Sequence, residues 1–94
     1  MATVYVERDH KLDDGQLREL GEQLANKLTD KLGGSAEWQG NELHYKQSGA
    51  SAKALLGEDK VEVTVELGFL MSGFASMVEA EVERTLDKYL EQVV

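Results

Sequence analysis

The sequence predicts an α+β fold with the element order β-α-β-β-β-β-α, an antiparallel sheet with two helices on one face. Three observations lead there. A short polar–apolar alternation opens the chain, a leucine stripe at spacings of three and four follows it, and a series of period-two segments then leads into a second helical stretch.

Thr3 to Glu7 (TVYVE) alternates polar with β-branched or aromatic residues, as a half-buried strand does. Leu17, Leu20, Leu24, Leu28 and Leu32 then line one face of a helix. Asp13 caps its start, Gln16 completes a capping box, and Leu12 can staple onto Leu17. Gly33 and Gly34 supply a left-handed stop. Gly21 costs about 0.5–1 kcal/mol in a helix interior, yet with Ala25 it flanks the stripe, where small side chains allow close approach to a sheet. Ala36 and Trp38 alternate with Glu37 and Gln39, Gly40-Asn41 makes a tight turn, and Leu43 and Tyr45 alternate with His44 and Lys46, which is a hairpin. Ser48-Gly49 turns into the alanine-rich ASAKALL, the weakest strand pattern. After GEDK, Val61, Val63, Val65 and Leu67 give the cleanest one. Strands two to five read as a meander. Antiparallel pairing of the first strand with the fifth lets the first helix return the chain to begin the second strand. From Phe69 a helical pattern runs onward, with Val78, Val82, Leu86, Tyr89 and Val93 as its later stripe.

The 94 residues are the length of one domain, residues 1–94, with a core that dimerisation would help to complete. The chain has no cysteine, which excludes disulfides and thiol chemistry. No secretory h-region or run of ~18 apolar residues occurs, so the expectation is a soluble, cytoplasmic protein without a transmembrane segment. Eighteen acids against ten Lys and Arg give a net charge of −8, which repels phosphate backbones, so no nucleic acid is expected as a partner.

Catalytic motifs are not apparent, and the expectation is not an enzyme, with no catalytic residues, no cofactor and no metal. His10 and His44 lack ligand spacing; with Asp9 or Asp13 they would make only an irregular site, and they read as surface or turn residues. GASAK (Gly49 to Lys53) lacks the closing glycine of a nucleophile elbow. Glu62 and Glu66 fall on a solvated strand face. Gly68 and Gly73 have the outer spacing of a phosphate loop, but Phe74 and Ala75 stand where Lys-Ser/Thr is needed.

The segment Phe69 to Met77 is apolar around nearly the whole circumference of its first turns, more than one packing face requires. Three readings stand: both sides are wrapped by the domain, the segment self-associates as a homodimer interface, or it adsorbs to a hydrophobic body, for which two Met and two Phe are suited. Phe69, Leu70, Met71, Phe74 and Met77 are the candidate contacts.

ERDHKLD, LRELGEQLANKL, AEWQGNELHYKQSG and above all VEVTVELGFLMSGFASMVEAEVERTLDKYL resemble the polyhydroxyalkanoic acid system protein family, over nearly the whole chain. The resemblance implies a bacterial accessory protein around polyhydroxyalkanoate storage granules, with the granule or its proteins as partners and a place in the cytoplasm at the granule surface. It carries over no catalytic residue. It also implies a miniature of the helix-grip folds, in which a curved sheet grips a long helix. From that comes the alternative, a carrier of a small hydrophobic acyl ligand lined by Trp38, Tyr45, Val63 and Met77.

Overall fold

The computed structural model describes residues 2–92. Strands β1 (Ala2–Asp9), β2 (Ser35–Gln39), β3 (Glu42–Gln47), β4 (Ala50–Leu56) and β5 (Lys60–Leu67) form one antiparallel sheet in the order β1-β5-β4-β3-β2. Helix α1 (Asp14–Leu32) and helix α2 (Ala75–Gln92) lie on one face of it, with a 3-10 helix, Phe69–Phe74, leading into α2. The meander and its closure by the first strand are as the sequence predicts. β1 is longer than the alternation suggests, because all eight residues of β5 pair with it, from Ala2↔Leu67 to Asp9↔Lys60.

The register sets Val4 and Val6 beside Val65 and Val63, and Ala52 and Ala54 beside the same two valines from the other side. Leu43 and Tyr45 of β3 continue these rows. Helix α1 packs across β2, β3 and β4, and α2 lies over β1 and against α1. Leu20, Val61, Val63, Val65, Leu67, Val78, Val82 and Leu86 are the most deeply buried side chains. Val93, the last residue of the apolar stripe read from the sequence, lies outside the described residues. The alanines of β4 act as a low floor: Ala50 and Ala54 are buried beneath the helices, where larger side chains would hold the layers apart.

Both ends of α1 are closed by side chains. Gln16 N–H donates to Asp13 Oδ1 at 2.8 Å and Asp13 N–H to Gln16 Oε1 at 3.0 Å, the reciprocal capping box. At the other end Gly33 and Gly34 take φ of +75° and +86°. There Gln47 Nε2 donates to Leu32 O at 2.9 Å, and the Tyr45 hydroxyl donates to Gly33 O, so β3 caps the helix it carries.

Gly21 faces the Trp38 ring. A Cβ added there would stand 2.7 Å from Trp38 Cζ2 and 3.0 Å from Leu56 Cδ1. The indole is covered on one face by α1, with the Arg18 guanidinium 4.0 Å from the ring centroid and Nε1–H bonded to Glu22 at 3.0 Å. Close helix–sheet packing at Gly21 is therefore real, and its partner is the tryptophan of the edge strand β2.

Two predictions follow from this packing. Gly21→Ala gains about 1 kcal/mol of helix propensity but forces the indole aside at a cost of about 1–3 kcal/mol. Urea unfolding should show net destabilisation, and a more stable variant would contradict the packing. Burial, with the Glu19 carboxylate nearby, pushes the Tyr89 hydroxyl up to about 12, and burial raises Tyr45 as well. The folded state thus favours the neutral phenols, a contribution present below pH 10 and lost as pH rises from 10 through about 12. Melting temperature should fall across that window, and Tyr89→Phe should flatten the fall.

Candidate functional site

The candidate site begins where β5 ends. Gly68 N–H donates to Gly49 O at 2.8 Å, which ties the end of β5 to the β3–β4 connection. A Cβ on Gly68 would lie 3.1 Å from that same carbonyl and would press on it, so glycine favours the close approach. Met71 N–H then donates back to Gly68 O at 3.0 Å, Ser72 Oγ to Phe69 O at 2.9 Å, and Ala75 N–H to Ser72 O. These three-residue closures wind Phe69–Phe74 as a 3-10 helix, whereas the sequence pattern places the α-helix from Phe69. Met71 holds the segment down: a Cβ on Gly49 would stand 2.9 Å from Met71 Cγ. Gly73 has open space around it and serves no close packing.

The five candidate contacts fall into two groups. Met71 and Met77 are half-buried and pack against the core. Phe69 and Leu70 are 82% and 88% exposed and Phe74 is 45% exposed. Together these three expose on the order of 400 Å² of apolar surface, the size of the largest patch a monomer shows, which is often a functional one. Of the three readings of this segment, wrapping of both sides is excluded for Phe69 and Leu70 among the described residues. No charged residue occurs from Gly68 through Val78, in a chain that is 30% charged, so the corner is electrostatically quiet as well as apolar. A free apolar corner anchored by two methionines can adsorb or dock.

Several of the polar residues singled out from the sequence are engaged in bonds within the fold. His10 is 7% exposed and not the surface residue its loop position suggests. Its Nδ1 accepts from Leu12 N–H at 2.9 Å, which leaves Nε2–H to donate to Gly57 O at 2.7 Å. It thereby joins the β1–α1 loop to the β4–β5 turn. His44 lies on the sheet face away from the helices, 3.1 Å from Glu42. Glu62 accepts from the Tyr5 hydroxyl at 2.7 Å, and Glu7 lies 2.8 Å from the same oxygen; these carboxylates push the Tyr5 hydroxyl upward from its ordinary value. Glu66 is exposed on the same sheet face, and Ser51 of GASAK sits within β4. No cluster of three His, Cys, Asp or Glu among the described residues is placed to hold a metal.

The four residues of the carrier reading are dispersed. Trp38 lines an open depression of about 550 Å³ with Leu12, Leu17 and Leu56. Tyr45 is buried on the helix-bearing face with its hydroxyl on Gly33 O. Val63 is in the packed centre and Met77 beside the 3-10 segment. No helix among the described residues is long and apolar enough to cross a membrane.

The fold and this corner meet a matching sequence pattern. Residues 4–90 match the family described as "Putative polyhydroxyalkanoic acid system protein". The chain belongs to this family. The match runs from within β1 to the last turn of α2, so all of the fold except the first two residues of β1 and the last two of α2 falls within this polyhydroxyalkanoic acid system protein pattern. No curated protein and no solved structure gave a match.

The two groups of contacts should respond differently to substitution. Leu70→Asp and Phe69→Asp, at exposed positions, should change unfolding free energy by no more than about 0.5 kcal/mol while lowering binding of a hydrophobic dye. Met71→Asp buries a charge against the β3–β4 turn and should destabilise by well over about 1 kcal/mol. Chemical denaturation with parallel dye titration separates the two, and equal costs would refute the assignment.

Proposed function

We propose that this polyhydroxyalkanoic acid system protein is a small non-catalytic accessory protein that associates with the storage granule, or with the proteins that coat it, through the corner formed by Phe69, Leu70 and Phe74. The observation that carries the reading is the near-complete exposure of Phe69 and Leu70 on a segment that the fold anchors from beneath. Membership of the family supplies the setting. The structural use of His10 and Glu62 supports a non-catalytic role, since His10 bonds one loop to another and Glu62 bonds β5 to β1.

The energetics favour a reversible contact. Burying roughly 400 Å² at about 25 cal/mol per Å² contributes about 10 kcal/mol. The lost translational and rotational freedom costs about 4–15 kcal/mol, so one corner alone gives weak attachment. The net charge of −8 lies outside the corner, which lets the apolar side face a polyester surface while the charged sides stay hydrated.

Purified protein should co-sediment with polyester granules, and the double substitution Leu70→Asp with Phe74→Asp should reduce the bound fraction at least about tenfold without loss of the folded circular-dichroism spectrum. Equal sedimentation of wild type and double variant would rule the reading out. Loss of sedimentation on stripping the granule coat would place the contact on a coat protein.

A further inference from the structure

The sheet register fixes which backbone groups of β1 face the open edge. His10 N–H donates to Asp59 O at 2.9 Å, continuing the ladder in which Ala2, Val4, Val6 and Arg8 stand opposite Leu67, Val65, Val63 and Val61. Bonded and non-bonded pairs alternate along an antiparallel ladder. The even-numbered residues of β1 therefore bond to β5, and Thr3, Tyr5, Glu7 and Asp9 turn their N–H and C=O outward. The bonds from Gly68 N–H to Gly49 O and from Leu56 N–H to Asn41 O obey the same alternation in the neighbouring ladders.

One of these outward groups is occupied. The Glu7 carbonyl accepts from Arg8 Nη1 at 2.8 Å, and the same guanidinium bonds to Asp87 at 2.8 Å and Glu83 at 3.2 Å on α2. An inward-pointing charge of this kind guards a strand edge. Arg8 guards only the second half of β1. Among the described residues no hydrogen bond reaches the outward backbone groups of Thr3 and Tyr5, and the Tyr5 side chain is itself 49% exposed.

We propose that the unguarded half-edge, Ala2–Val6, pairs antiparallel with the same segment of a second copy of this chain, centred on Val4. A two-fold pairing must set odd residues against odd ones for their outward groups to bond. Centring on Val4 places Thr3 against Tyr5 of the second copy, twice, and leaves the Arg8 clasp intact. Centring on Tyr5 or Val6 requires the Glu7 carbonyl that Arg8 holds, and centring on Glu7 opposes two carboxylates. Centring on Thr3 retains one bonded pair within the described residues. In the Val4 register no like charges stand directly opposite each other, and Val4 meets Val4 on the helix-bearing face. The pairing does not depend on what the apolar corner binds.

Sedimentation velocity from about 1 µM to about 1 mM tests this. Wild type should show a concentration-dependent dimer. Thr3→Pro removes an outward N–H that its own sheet does not use, at an edge position that tolerates proline, and should weaken the dimer at least about tenfold. Amide exchange in the wild type gives a second reading that needs no variant: the Thr3 and Tyr5 amides should exchange more slowly as concentration rises. A monomer throughout overturns the proposal, as does a dimer without added protection at Thr3 and Tyr5. A dimer abolished by Leu70→Asp and untouched by Thr3→Pro overturns it also, placing the contact at the apolar corner.

Discussion

The ladder between β1 and β5 joins the first strand of the chain to the last, and most other placements depend on it. With Val4 and Val6 set against Val65 and Val63, β1 becomes an edge whose inner face needs a cover, and α2 is the element positioned to give it. The same pairing puts the end of β5 beside Ala2 and sends the chain out of the sheet at Gly68, so the apolar corner is fixed at that end of the molecule. Arg8 completes the arrangement by clasping Glu83 and Asp87; its bonds to Asp87 hold that carboxyl below the usual carboxylate range.

What could be read from the sequence was whatever depends on periodicity and local chemistry. The leucine stripe, the Asp13–Gln16 box, the Gly40-Asn41 turn and the valines of β5 each contain their own explanation within a few residues. Even the closure by β1 was legible, because a helix between the first and second strands has to return the chain. The 3-10 winding was not, since it depends on Gly68 meeting Gly49, nineteen positions away. The burial of His10 within its loop was not legible for the same reason: it comes from the β4–β5 turn, and only the register brings Gly57 to its ring.

The candidate site was half legible. Excess apolar character over Phe69–Met77 was visible, but the division between anchoring methionines and exposed Phe69 and Leu70 was not. Arg8 gave no signal at all. In the sequence it is one more charge in ERDH, and its role at the strand edge exists only once α2 lies alongside.

The distance along the chain between β1 and β5 also governs the order of assembly. The hairpins β2–β3, β3–β4 and β4–β5 close over short loops, whereas Ala2 must wait for Leu67. As the chain leaves the ribosome, β1 therefore spends the synthesis of about sixty residues without its partner, with both edges and its valines uncovered. The charged ERD that follows its valines suits it to that wait, because charges at the end of an uncovered strand discourage out-of-register pairing.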